Sequence, residues 1–279
     1  THAFTHLRKK YLDMVPEKGF MGAAMTEFDD GIGVLLDELD DLGITENTLV
    51  IISSDNGAME FSWPDSGTTP FRSEKATTWE GGFRVPAVAR WPGVVKPGTV
   101  INDIFHHMDW IPTLLAAVGE PDIKEKLLKG HQASGKTFKV HLDGYNQLPL
   151  LKGIGPGARK EIHYISDDGD YCAFRYNKWK IAFLTQEQNG QDVWDAPYVP
   201  HRFPRIADLR ADPFERASVR NASMYWQDWQ FRRAFVLVPA QGIVAGLIKS
   251  FEEFPPRNKP ASFSVGNALK VLETASRGK

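Results

Sequence analysis

Residues 48–84 read TLVIISSDNGAMEFSWPDSGTTPFRSEKATTWEGGFR, and the reading of this stretch decides the fold. Thr48 to Ile52 is an apolar, largely β-branched run that stops at Ser53-Ser54-Asp55-Asn56-Gly57. A short run of Leu, Val and Ile bounded by Ser, Asp, Asn and Gly suits a strand buried on both faces. A carboxylate and an amide then stand where the strand stops, at the edge where open α/β sheets hold their ligands. Taken alone, Asp-Asn-Gly is also an ordinary turn, since Asn-Gly is a common turn pair.

Working outward, Lys18 to Leu42 has helical periodicity: Met21, Met25, Phe28, Ile32, Leu35, Leu36, Leu39 and Leu42 recur every three or four positions. The Asp and Glu residues between them read as a solvated face rather than as a metal cluster. Gly43 supplies a helix stop, and Ile44 to Asn47 is a brief connection. Helix, turn and buried strand in that order predict a parallel α/β sheet.

Beyond the opening stretch, Val85 to Trp91 is a short strand stopped by Pro92, and Phe105 to Val118 reads as a helix with Asp109 at its positive end. His106 and His107 are adjacent and diverge on a helix, so they read as structural. Ile123 to Lys139 reads as a mixed-charge surface connection, with a short strand over 137–140. Gly153-Ile154-Gly155-Pro156-Gly157 is the best linker in the chain. After it, Glu161 to Ser166, Tyr171 to Tyr176, Trp179 to Leu184 and Arg205 to Arg210 read as strands. Asp167 to Asp170 lacks EF-hand spacing and reads as a turn. Met224 to Phe251 is helical in period, with Pro239 expected to kink or break it. Asn221-Ala222-Ser223 fits a glycosylation sequon.

Composition bounds the rest. The chain has 279 residues, 42% hydrophobic and 24% charged, at a net charge of −2. This is ordinary for a soluble globular protein and offers no electrostatic footprint for nucleic acid. No apolar stretch approaches the roughly 20 residues of a membrane span. The single cysteine, Cys172, excludes an internal disulfide framework and reads as a core residue.

Val50 to Gly57, then Lys75, then Trp79-Glu80-Gly81-Gly82-Phe83-Arg84-Val85-Pro86 resemble the sulfatase family in order and spacing, and most closely its bacterial arylsulfatase-type members. The resemblance runs over essentially the whole chain. It implies an α/β fold: a truncated alkaline-phosphatase-like, mostly parallel sheet with flanking helices, plus a small C-terminal α+β domain with an antiparallel sheet. Residues 1–155 would belong to the catalytic domain and 156–279 to the small one.

The same resemblance implies sulfate ester hydrolysis of a small-molecule substrate. Asp55 and Asn56 would be metal ligands, an anionic and an amide oxygen suited to calcium, with magnesium as the other hard ion of this chemistry. Lys75 would grip a sulfate oxygen as a point charge. His2 matches a histidine that contacts the ester or protonates the departing oxygen, and His6 a polar position near it. Glu80-Gly81-Gly82 would shape the backbone beneath the site, with Glu80 and Arg84 as an ion pair. The family's nucleophile is a formylglycine made from Cys or Ser in a Cys-or-Ser-x-Pro-x-Arg motif. Cys172 is followed by Ala173-Phe174-Arg175, without the proline, and is not that residue. The nucleophile and remaining metal ligands are therefore expected upstream of Thr1, and this chain alone is expected to be inactive. Two readings compete: a phosphodiesterase or phosphonate monoester hydrolase of the same superfamily, and a non-catalytic binding or scaffold protein on this fold. Asn56 disfavours the zinc phosphatases of that superfamily, which typically place histidine there.

Overall fold

The computed structural model describes residues 6–60, 63–218 and 224–255. Helix α1 (Lys9–Leu12) leads into α2 (Val15–Asp41), whose first turn carries Pro16, where no backbone N–H is needed. The small side chains of Ala23 and Ala24 let Leu7 and Tyr11 pack onto α2. Arg8 pairs with Glu27, and Lys10 and Tyr11 both reach Asp30, so part of the acidic run is surface charge tied to α1. Gly43 follows at φ 67°, the expected helix stop. A 3-10 turn (Thr45–Asn47) enters β1 (Val50–Ser53).

The chain then passes α3 (Glu80–Phe83) and returns as β2 (Ala87–Arg90), which pairs antiparallel to β1 with Val50 opposite Arg90 and Ser53 opposite Ala87. Among the described residues β1 has no parallel partner, unlike the sheet expected from the helix–turn–strand order. Its burial also differs from that of a strand covered on both faces. Val50 and Ile52 are half-buried, whereas Ile51 and Ser53 are exposed. The neighbouring apolar positions are open too: Phe28 is 44% exposed, Leu35 67% and Val88 64%.

A 3-10 turn (His107–Asp109) starts α4 (Trp110–Ala117). Next come α5 (Ile123–Lys129) and a hairpin of β3 (His131–Ala133) with β4 (Lys136–Phe138), where the mixed charge suggested mostly a surface connection. Ile123 and Leu127, one helical turn apart, are the buried positions that make α5 a helix. Helix α6 (Leu148–Leu151) precedes the glycine-rich connection.

Strands β5 (Glu161–Ile165), β6 (Tyr171–Tyr176), β7 (Trp179–Thr185) and β8 (Val199–Asp208) form an antiparallel sheet in that order, with α7 (Asp192–Asp195) between the last two. Strand β8 starts six residues before the sequence reading placed it. Pro200 and Pro204 disguise it, and both are tolerated because β8 lies at the sheet edge. One face presents Phe174, Ile181 and Ile206 to Val236 and Ala240; the other presents Tyr164, Ala173 and Ala182 to Phe83 of α3.

Helix α8 (Trp226–Phe231) is separated by a 3-10 turn (Ala234–Val236) from α9 (Leu237–Glu253). Pro239 therefore does not break a helix. It occupies the first turn of α9, where its missing N–H costs nothing, and the break falls before it. Ala234–Glu253 is 20 residues of helix long and apolar enough to cross a membrane by length and composition. This corrects the expectation that no stretch comes near that length. Its Val236, Ala240, Ile243 and Val244 pack on the sheet. The sequon at Asn221 lies outside the described residues.

Candidate active site

The polypeptide leaving β1 is held by its neighbours' backbone. Gly57 N–H donates to Gly82 C=O at 2.9 Å, Lys75 N–H to Ala58 C=O at 2.9 Å, and Gly81 N–H to Arg72 C=O at 2.7 Å. These bonds seat Lys75, twenty positions from Asp55, directly against Ala58. The approach is close enough to require glycine. A Cβ on Gly57 would lie 1.7 Å from Gly81 O, and one on Gly81 would lie 2.2 Å from Ser73 O. Glu80-Gly81-Gly82 thus forms the floor beneath the Asp55 tip. Ser73 and Ala76, on either side of Glu74-Lys75, hold left-handed φ angles of 61° and 67°. Such backbone is strained for residues with a Cβ and concentrates at functional loops.

On this floor the Asp55 carboxylate is exposed and makes no hydrogen bond or ion pair among the described residues. The half-buried Asn56 donates its side-chain Nδ2 to Gly57 C=O at 2.8 Å, and its Oδ1 accepts no hydrogen bond among the described residues. Lys75 is half-buried, makes no ion pair among the described residues, and lies with its Nζ 5.9 Å from the Trp194 ring centroid. His2 lies outside the described residues, and His6 is exposed. No cluster of three or more His, Cys, Asp or Glu that could hold a metal ion converges among the described residues, at Asp55 or elsewhere.

The sequence reading missed Glu74. Its side chain is fully buried and accepts from Glu60 N–H at 2.7 Å and Gly190 N–H at 2.5 Å. It thereby ties the loop after β1 to the loop after β7. Between those loops lies a cavity of about 560 Å³ lined by Glu60, Trp63, Thr68, Asn189, Gly190 and Gln191. Nothing in the sequence around SEKATTW separates Glu74 from an exposed loop acid.

Beneath the floor is a buried charge network. Glu80 meets Arg84 at 2.7 Å, Lys180 at 3.1 Å and Arg175 at 3.2 Å, and accepts from Tyr164 Oη at 2.8 Å. Lys180 also reaches Glu215 at 2.9 Å, whose other oxygen accepts from Glu80 N–H. Burial pushes the Glu80 carboxyl up, but Lys180, Arg175 and Arg84 outweigh it and hold it at about 2. The network joins α3 to the β5–β8 sheet, so Glu80 is a structural anchor rather than a reacting group. Cys172 is sealed in the core, its thiol pushed up to about 12 by burial, and it accordingly carries no nucleophilic role.

Asp109 is more than a helix-end charge. It accepts from His106 N–H at 2.9 Å and Tyr145 N–H at 2.8 Å, and pairs with buried Arg159 at 2.7 Å. His106 Nδ1 accepts from Met108 N–H at 3.1 Å. His107 Nε2 lies 3.2 Å from Ser53 Oγ at the end of β1. The two histidines thus have separate partners, but not by divergence on a helix: His106 is the extended residue that caps the 3-10 turn and His107 is the first residue within it.

The sulfatase family model matches residues 21–120. Human N-acetylgalactosamine-6-sulfatase is 40% identical over 265 residues, covering 86% of this chain and 48% of that protein. Human arylsulfatase A is 33% identical over 210 residues, covering 71% and 38%. Among solved structures, the PsFucS1 sulfatase from Pseudoalteromonas sp. superposes with a TM-score of 0.70 at 30% identity, covering 92% of this chain and 48% of its own. The chain thus spans under half the length of these relatives, and the residues matched by the family model contain the Asp55-Asn56 tip, Lys75 and the glycine floor. This chain belongs to the sulfatase family.

Proposed function

We propose that this chain supplies one half of a calcium-assisted sulfuric ester hydrolase site. The observation that carries the reading is the Lys75 N–H bond to Ala58 C=O, which sets a free ammonium-bearing residue against the loop that carries Asp55 and Asn56. A sulfate ester bears one negative charge over its free oxygens, and its cleavage drives charge onto the leaving oxygen. Fixed cationic groups aimed at those oxygens lower that barrier. Lys75 serves as one such group. His2, by its match to the family's histidine, hydrogen-bonds the ester or protonates the departing oxygen.

The residues present fit a hard divalent cation. Asp55 has a carboxylate free of competing partners, and the Asn56 amide oxygen accepts no hydrogen bond among the described residues. Asp55 and Asn56 would hold such an ion, which would supply Lewis-acid polarisation to a sulfate ester. Calcium suits a carboxylate–amide oxygen pair, and magnesium shares that preference. No Cys-or-Ser-x-Pro-x-Arg motif occurs in residues 1–279, so this reading places the nucleophile on polypeptide outside them. The exposed apolar face around Phe28, Leu35 and Val88 supports further polypeptide covering the α2–β1–β2 layer. By the same reading residues 1–155 are the catalytic portion and 156–279 the smaller domain.

The names of the relatives support ester hydrolysis. The test is hydrolysis of p-nitrophenyl sulfate and p-nitrophenyl phosphate by the full-length protein, with and without calcium, against Lys75→Ala. Preference for sulfate, with loss on chelation and in the variant, is expected. Preference for phosphate, or hydrolysis indifferent to both chelator and variant, rejects the reading.

A further inference from the structure

A cavity of about 520 Å³ opens where β7 begins, at the Asn177-Lys178 turn, whereas Gly190, the partner of Glu74, follows the other end of that strand. Its lining holds five cations, Arg159, Lys160, Arg175, Lys178 and Arg210, against a single carboxylate, Asp103. In a chain whose net charge is −2, this excess is local to the cavity and offers no extended field for a polyanion. Three of the cations are committed. Arg159 pairs with Asp109 at 2.7 Å, Lys178 with Asp208 at 2.7 Å and Arg175 with Glu80 at 3.2 Å. Arg175 also gives Nε to Asn177 C=O at 2.8 Å, which leaves its Nη2 without a partner among the described residues. Lys160 is half-buried and Arg210 exposed, and neither side chain makes a hydrogen bond or ion pair among the described residues.

Backbone contacts, not these charges, fix the walls. Asn177 N–H donates to Lys160 C=O at 2.7 Å, Leu209 N–H to Lys178 C=O at 2.7 Å, and Gly157 N–H to Asp103 Oδ1 at 3.1 Å. Asn177 holds the left-handed φ of 52° that its turn requires, a conformation asparagine tolerates. A cavity held in this way is preorganised, which lowers the ordering cost of binding. Two uncommitted like charges lining one cavity repel each other, and an anion between them relieves that repulsion.

We propose that this cavity binds a tetrahedral dianion of the phosphate and sulfate class, with Lys160 and Arg210 as its charge partners and Arg175 Nη2 as a further donor. A carboxylate brings one charge and two oxygens, so it would leave one of the two free cations uncompensated. A tetrahedral dianion brings two charges and four oxygens. A guanidinium fork grips such oxygens two at a time, and an ammonium adds a point charge. Inorganic phosphate, a phosphate monoester and the free sulfate ion share this chemistry. A sulfate ester, with one charge, does not. None of these residues belongs to the Asp55 to Lys75 loop, so the assignment does not rest on the sulfatase reading.

The test is titration of the 15N-labelled full-length protein at pH 8 with inorganic phosphate, glycerol 2-phosphate, inorganic sulfate and acetate, by calorimetry and by the amide signals of Asn177 and Lys178. A dianion is expected to shift both amides, and acetate to bind at least about tenfold more weakly. Lys160→Ala and Arg210→Ala should each weaken the dianion by about tenfold. Neither side chain has a partner to lose, so both variants should fold. Lys9→Ala, which removes the same charge from α1, and Lys75→Ala should leave the two amide shifts and their midpoint unchanged. Glycerol 2-phosphate bound as tightly as phosphate assigns the cavity to phosphate monoesters; phosphate preferred over it assigns the free ion, and sulfate preferred over both assigns inorganic sulfate. Acetate bound as tightly as the dianions, or no shift at Asn177 and Lys178 with any of them, overturns the proposal. So does anion binding that survives both Lys160→Ala and Arg210→Ala but is lost in Lys75→Ala, which would place the ion at the candidate active site.

Discussion

Lys180 and Glu80 meet at 3.1 Å with their side chains 2% and 1% exposed, so an ion pair sealed from solvent joins the β5–β8 sheet to the helix under the candidate site. Such a pair is a weak source of net stability, but losing one partner is costly because the other charge stays buried. Lys180 is shared with Glu215, so its loss leaves two carboxylates facing each other. Lys180→Met is expected to destabilise the fold by about 3–5 kcal/mol, read as the shift in urea midpoint at pH 7. Adding Glu80→Gln to that variant should recover part of the loss, since it removes one of the stranded charges.

The glycine floor makes a second prediction. A Cβ at Gly57 would fall 1.7 Å from Gly81 O, which is backbone and cannot swing aside. Gly57→Ala should therefore cost about 2 kcal/mol or more and loosen the Lys75–Ala58 bond. Thermal melts, together with inorganic sulfate affinity, check this. Unchanged values for both would show that the floor does not set the position of Lys75. Gly93, at φ 72° with open space around it, makes a control: Gly93→Ala should strain only its own turn and leave sulfate affinity unaltered.

Stability should also respond to His106. Burial, reinforced by the nearby Arg159 charge and opposed by Asp109, lowers its ring from an ordinary 6.5 to about 4. Between those values the unfolded chain binds the extra proton and the folded one does not. Stability is then lost as pH falls from about 6.5 towards 4, by on the order of 2 kcal/mol. His106→Asn keeps a side-chain acceptor for Met108 N–H and should flatten that part of the stability–pH curve. An equal slope in both proteins assigns the loss to other groups.

Much of this was legible because it is local. The strand end at Ser53 to Gly57, the helix stop at Gly43 and the close approach at Gly81-Gly82 are each written in adjacent residues, and all appear in the structure. Helix α5 was hidden because its buried residues, Ile123 and Leu127, are separated by Lys and Glu. Strand β8 was cut short by prolines that only an edge strand accepts. Glu74 was invisible for a different reason: its partners are backbone N–H groups 14 and 116 positions away, and backbone amides carry no sequence signature. The exposure of β1 and α2 likewise depends on which surfaces face them, which periodicity does not encode.

Calcium titration calorimetry on the full-length protein, comparing wild type with Asp55→Ala and Asn56→Ala, bears most directly on the proposed metal site. The account predicts one calcium bound by wild type, binding lost or at least about a hundredfold weaker in Asp55→Ala, a smaller loss in Asn56→Ala, and sulfate ester hydrolysis falling in parallel. Calcium bound by Asp55→Ala with wild-type affinity, or full activity in calcium-free wild type, would contradict it.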